Sequence, residues 1–209
     1  REAYEILSDV ENRQIYDTTA GEYESIASGA SVTLTEKNYD ALVTHGDSVW
    51  VLQAFSELEP RCGQFAPHWE EAASSLGRYA RFGRIDATRN PDALKKFPIK
   101  ARLFPTVVMV AKGYEPRIFP MGNPSFSELK KWFNSAYPDV MQKADWENLG
   151  AGQKAQVLTI SSKPDAGMLM KSVAYQYSGI FDFMKGKPSM MKKGTELKNR
   201  LAFKGNEHT

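Results

Sequence analysis

The stretch that decides the fold reads Val49-Trp50-Val51-Leu52-Gln53-Ala54-Phe55 and continues, after a polar turn, into Arg61-Cys62-Gly63-Gln64-Phe65-Ala66-Pro67-His68-Trp69. The first part is a β-rich run bounded by polar residues, which predicts a strand. In the second part, apolar side chains recur at helical spacing up to the stop at Gly77. A strand that leads into an amphipathic helix is typical of an α/β fold.

The residues around this stretch continue the alternation. Residues 35–45 have helical spacing, and residues 79–86 read as a strand. Asn90 and Pro91 start a short helix as cap and first-turn proline. Two further strands, 107–110 and 117–119, precede a helix that begins with the capping box of Ser125 and Glu128. Residues 31–137 are therefore predicted to read α-β-α-β-α-β-β-α, a mixed sheet with helices on both faces.

Composition and charge exclude several classes of protein. The 209 residues are 42% hydrophobic and 25% charged, which is typical of a globular chain. A net charge of +2 provides no protein-wide attraction to nucleic acid or to an anionic membrane. The longest apolar run, residues 107–111, is far shorter than the roughly 20 residues that cross a bilayer. We expect no nucleic-acid partner and no membrane span in these residues.

Cysteine and histidine usage restricts the chemistry further. Cys62 is the single cysteine, so an intrachain disulfide, a dithiol centre and a zinc site with two thiolates are excluded. The three histidines lie in separate segments with no acidic cluster at ligand spacing. No phosphate loop or dinucleotide fingerprint occurs either. We therefore expect no metal, no cofactor and no catalytic residues.

The opening stretch resembles the strand, active-site turn and kinked helix of thioredoxin-like domains of the protein disulfide isomerase family. Phe104-Pro105-Thr106 is similar to the cis-proline loop of that family. The resemblance covers residues 31–138 and implies a thioredoxin-like sheet in which Pro105 follows a cis bond and lies opposite Cys62. The same loop either only shapes the sheet edge or also offers backbone groups to an extended peptide by strand addition.

The active-site turn departs from the family pattern. The resemblance assigns Cys62 to the resolving position and Glu59 to the attacking position, with Pro60 and Arg61 between them. Gln53 stands where redox-active members often carry a glutamate that relays a proton. Disulfide exchange needs one thiol to attack and a second to resolve the mixed disulfide. We expect no catalysed exchange and interpret Cys62 as a buried structural thiol, the alternative being a reactive thiol at a helix N-terminus.

The flanking segments suggest a multi-domain arrangement. Residues 1–17 resemble the end of a J domain, which implies a His-Pro-Asp loop upstream of Arg1 and a heat-shock chaperone as partner; the alternative is an amphipathic helical arm. Residues 18–30 are predicted as a linker and 139–153 as a connector. Residues 154–190 are predicted as part of a second thioredoxin-like domain, and 191–209 as a basic tail.

A J domain followed by thioredoxin-like domains resembles the J-domain/thioredoxin co-chaperones of the endoplasmic reticulum. The resemblance implies a non-catalytic chaperone module in the lumen of that compartment, which binds client or partner proteins. Two alternatives stay open at this point. One is a structural scaffold subunit of a large cytoplasmic or organellar assembly, and the other is a residual thiol–disulfide oxidoreductase that uses a partner thiol on another chain.

Overall fold

In the computed structural model of the chain, the described residues are 30–121, 124–144, 149, 153–163 and 167–189. They form two compact units, one ending at Tyr137 and one beginning at Pro138. The predicted J-domain helices of residues 1–17, all but Ala30 of the predicted linker, and the basic tail of residues 191–209 lie outside the described residues.

The described part of the first unit contains a five-stranded sheet in the order β1-β3-β2-β4-β5. Its strands are β1 Val32–Thr33, β2 Trp50–Phe55, β3 Arg81–Asp86, β4 Thr106–Val110 and β5 Arg117–Ile118. The first three strands are parallel to one another, whereas β4 and β5 are antiparallel to their neighbours. The predicted mixed sheet is confirmed.

Helices lie on both faces of this sheet. They are α1 Pro60–Leu76, α2 Pro91–Lys95 and α3 Phe126–Ala136, together with a π-helical turn Asp40–Thr44. Phe82 of β3 packs against Trp69 of α1 and Phe133 of α3, with ring centroids 5.2 and 6.2 Å apart. The alternate side chains of the strands form a second cluster with the π-helical turn and α2; its buried members include Leu34, Tyr39, Leu42, Trp50, Leu52, Ile85, Ala93 and Phe97.

Two details of the first unit differ from the prediction. The strand β1 was not predicted, because two residues are too short to show a period-two pattern. The helix predicted over residues 35–45 is a turn followed by the π-helical segment Asp40–Thr44, in which the amide of His45 donates to the carbonyl of Asp40 at 2.9 Å. Asn38 holds the preceding turn, since its side chain accepts from Thr35 N at 2.8 Å and donates to Thr33 O at 3.1 Å.

The second unit has a smaller sheet, which within the described residues has three parallel strands in the order β6-β8-β7. They are β6 Gln142–Lys143, β7 Ala155–Ile160 and β8 Phe181–Gly186, with helix α4 Met168–Tyr177. The predicted strand-helix-strand is confirmed, but residues 139–153 were wrongly read as a connector throughout, because β6 pairs with β8. None of the helices in the described part of the chain has the length and apolarity that a bilayer crossing demands.

Candidate functional site

The candidate site is formed by two loops at one end of the first sheet. Residues 56–59 connect β2 to α1, and residues 103–105 precede β4. The β2–β4 register pairs Ala54 with Thr106, so its continuation by one residue places Pro105 across from Phe55, where the 56–59 turn begins. The Phe104–Pro105 bond is cis, as predicted. The structure thus brings the turn and the proline loop to the same edge.

Glu59 is the N-cap of α1. Its Oε1 accepts from the backbone N of Arg61 at 3.4 Å and from the Arg61 Nε at 3.0 Å. The hydrogen bond with the Arg61 side chain, followed by the one from its backbone, lowers the pKa of the Glu59 carboxyl. A charged carboxylate therefore occupies the helix N-terminus, where the helix dipole would otherwise favour a thiolate.

Cys62 lies one turn into the same helix, with 6% of its surface exposed. Burial is the main cause that raises the pKa of its thiol, and the charge of Glu59 raises it further. A hydrogen bond with the Ser56 backbone and the charge of Arg61 act in the opposite direction but do not cancel these effects. Cys62 is therefore protonated and mostly inaccessible at neutral pH.

Gln53 lies inside the sheet rather than at its surface. It is 4% exposed and pairs with Arg84 on β3 and with Val107 on β4. A glutamine side chain has no titratable proton in the physiological range. The position that the resemblance assigns to a proton relay consequently holds a group that cannot carry out that step.

Two leucines expose apolar surface on the two loops. Leu58 in the turn is 83% exposed, and Leu103 before the cis-proline is 66% exposed. The turn is held by Ser56 Oγ, which accepts from Leu58 N at 3.2 Å, and the other loop by Thr106 Oγ1, which donates to the Leu103 carbonyl. Neither leucine was predicted from the sequence as a site residue; the signal that points to both is an apolar side chain inside a loop.

Polar contacts tie the turn to the loop that follows β3. Ser56 Oγ lies 3.3 Å from Thr88 Oγ1, and Arg89 pairs with Glu57 at 2.9 Å. Asp86, at the end of β3, accepts from Thr88 N at 2.8 Å. These contacts hold the turn in place. Within the described ranges, no group of three or more His, Cys, Asp or Glu side chains is placed to hold a metal ion.

The fold and this edge are those of a thioredoxin-like domain. The thioredoxin family profile matches residues 30–135, and the chain belongs to that family. It is 28% identical over 91 residues to protein disulfide isomerase-like 2-3 of Oryza sativa subsp. japonica, covering 44% of this chain and 20% of that protein. It is 34% identical over 82 residues to the protein disulfide-isomerase A6 homolog of Caenorhabditis elegans, covering 39% and 18%.

The chain thus spans about a fifth of the length of these curated relatives. Among solved structures, ERdj5 form II is similar with a TM-score of 0.55 at 15% identity, covering 88% of this chain and 26% of that one. ERdj5 form I gives a TM-score of 0.51 at 14% identity, covering 91% and 27%. At such low identity these two likenesses show a shared fold.

Proposed function

We propose that the thioredoxin-like domain is a non-catalytic module that binds client or partner proteins. The observation that carries the proposal is the composition of one edge, where the attacking position is a capping carboxylate while Leu58 and Leu103 are exposed. We place the module in a J-domain protein of the endoplasmic reticulum lumen. The resemblance of residues 1–17 to a J domain and the protein disulfide isomerase names of the relatives support this placement.

Redox turnover needs more thiols than the chain contains. Exchange requires one sulfur to attack the substrate disulfide and a second sulfur to release the enzyme from the mixed disulfide. The chain contains a single sulfur of this kind, Cys62, and its thiol is buried with a raised pKa. The Glu59 carboxylate cannot replace the attacking thiolate, because a carboxylate cannot form a mixed disulfide with the substrate.

The exposed apolar surface of the two loops favours binding of a protein segment. Leu58 and Leu103 keep most of their apolar area in water, and burial of one leucine side chain contributes roughly 1.5–3 kcal/mol. The cis-proline loop of residues 103–105, which precedes β4, offers backbone groups to an extended segment, as in strand addition. An unfolded segment with apolar side chains fits both features, and it needs no thiol.

Reduction of insulin by dithiothreitol tests the redox part. We expect the wild type and Cys62→Ser to give the same background rate. Glu59→Cys is the matched positive control, because it restores two thiols on one turn, and we expect its rate to exceed the background. A wild-type rate above that of Cys62→Ser would contradict the proposal.

Binding of a fluorescently labelled, reduced and carboxymethylated unfolded protein tests the binding part, because that probe has no free thiol. We expect Leu58→Ser combined with Leu103→Ser to weaken binding by about tenfold, which is about 1.4 kcal/mol. Ile118→Ser is the control, since Ile118 is 56% exposed in the same unit but lies on β5. Equal affinity of the double variant and the wild type would contradict binding at this edge.

The J-domain part is tested by determining whether the gene encodes polypeptide upstream of Arg1 and what it contains. A His-Pro-Asp loop there, with stimulation of the ATPase of a heat-shock chaperone, supports a co-chaperone. If that loop is lacking, the scaffold alternative is favoured, whereas binding at the Leu58 and Leu103 edge is unaffected.

A further inference from the structure

The chain around the cis-proline loop carries only positive charge. Residues 96–114 include the loop and contain neither aspartate nor glutamate; their cations are Lys96, Lys100, Arg102 and Lys112. The first and the last of these are neutralised by carboxylates of another segment, Asp40 and Asp47, each at 2.6 Å. Lys100 and Arg102 are exposed, and among the described residues no carboxylate pairs with either. Two uncompensated cations therefore precede the exposed leucine of the loop.

The turn before α1, on the other side of the edge, has its charges paired. Glu59 binds Arg61 at 3.0 Å, and Glu57 binds Arg89 at 2.9 Å. Asp86, which Arg89 also approaches at 3.5 Å, is buried and accepts from two backbone amides of the loop that follows it. Each of these three carboxylates thus has a donor, and the uncompensated charge of the edge lies on the cis-proline side.

The two cations are close enough to Leu103 to act on a segment bound there. Arg102 adjoins Leu103 in the chain, and Lys100 is three residues away, which limits the distance between the Cα atoms of Lys100 and Leu103 to about 11 Å. The Debye length at physiological ionic strength is about 8 Å, so their charges are only partly screened over such distances. An arginine can in addition hold a carboxylate through two parallel hydrogen bonds. A carboxylate beside Leu103 is therefore attracted by both side chains.

We infer that this edge selects extended segments in which acidic residues accompany the apolar ones. The inference rests on the proposed binding at Leu58 and Leu103 and adds the charge of the occupant. The leucines favour any apolar segment, whereas Lys100 and Arg102 distinguish an acidic segment from a basic one. A basic segment of the same apolar content would bring like charges together, which lowers its affinity.

Fluorescence anisotropy with three labelled peptides tests the inference. The peptides share one arrangement of leucines, and their remaining positions hold aspartate, serine or lysine. At about 0.01 M salt, we expect the aspartate peptide to bind the wild type about fivefold more tightly than the serine peptide, and the lysine peptide to bind most weakly. At about 1 M salt, where the Debye length is about 3 Å, the three affinities should converge.

Charge reversal tests whether the two cations cause this order. Lys100→Glu combined with Arg102→Glu should invert it, so that the lysine peptide binds most tightly. The matched control is Arg78→Glu combined with Arg117→Glu, which changes the net charge by the same amount. Arg78 and Arg117 are exposed as well, but Arg78 precedes the start of β3 and Arg117 lies in β5. The control should keep the wild-type order.

Two results would overturn the inference. One is equal affinity of the wild type for the aspartate and lysine peptides, and the other is the same order of affinities in the Lys100→Glu, Arg102→Glu variant as in its control. Leu58→Ser combined with Leu103→Ser, measured with the serine peptide, separates this failure from failure of the proposed function. Weaker binding by that variant would leave binding at the edge in place without charge selection. Equal binding, or binding of none of the peptides, would contradict both.

Discussion

The two units begin with the same arrangement of three parallel strands and differ in what covers it. In the first unit, Val51 and Leu52 are fully buried between two neighbouring strands and between helices on both faces. In the second unit, the matching Val157 and Leu158 remain half-buried. A strand arrangement therefore does not by itself make a core. The antiparallel strand and the helix that follow it complete the burial.

The two units also fill the centre of this arrangement in opposite ways. The first unit places a large Leu34 beside Gly83, and the second places a small Ala144 beside Met184. A Cβ atom on Gly83 would lie 2.6 Å from the Leu34 Cδ1 and 3.2 Å from the Leu52 Cδ2. The large side chain lies on β1 in the first unit and on β8 in the second, whereas the hydrogen-bond register of the two sheets is the same.

The largest expected effect comes from the matched leucines. Leu52→Ala should lower the free energy of unfolding of the first unit by about 2–5 kcal/mol, because it leaves a cavity in a fully buried site. Leu158→Ala should cost about 1 kcal/mol in the second unit, since part of that side chain is already in water. Urea unfolding, followed by the NMR signals of individual backbone amides, measures the loss of free energy of unfolding in each unit. Equal losses would contradict the burial difference between the units.

The exchanged side chains give a sharper test. Gly83→Met should destabilise the first unit by about 1–3 kcal/mol through overpacking against Leu34. Combining it with Leu34→Ala should cost at least about 1 kcal/mol less than the sum of the two single changes, because the smaller side chain makes room. The same unfolding measurement on the four proteins of this cycle provides the coupling. Additive losses would mean that a small side chain at position 34 does not make room for a large one at position 83, as Ala144 does for Met184 in the second unit.

The smallest effect concerns α3, which covers the first unit. Ser125 is its N-cap, and its Oγ accepts from Glu128 N at 3.3 Å. Ser125→Ala should lower the free energy of unfolding of the first unit by about 1 kcal/mol and leave the second unit unchanged. Ser127→Ala is the control, because Ser127 is exposed in the first turn of the same helix. A loss in both units would show that their stabilities are linked.

The sequence predicted the elements with strong patterns and missed those without one. Residues 60–76 show a helical stripe and residues 107–110 an apolar run, and both elements form there. The strands Val32–Thr33 and Gln142–Lys143 have no such pattern, and they form because β3 and β8 offer a parallel edge. At the site, Glu59 and Cys62 were selected from the sequence, whereas the exposed Leu103 was not, because exposure of a loop residue depends on the surrounding fold.

The sequence by itself determined that no second thiol exists, that Gln53 cannot titrate and that a strand leads into the helix of Cys62. Those are properties of composition and local periodicity, which need no long-range contact. Only the tertiary structure decided that Cys62 is buried and that the cis-proline loop lies at the same sheet edge as its turn. The position of the loop depends on the pairing of β2 with β4, which are separated by about fifty residues in the chain. Their register is set by side-chain burial on both faces of the sheet, and no local pattern specifies it.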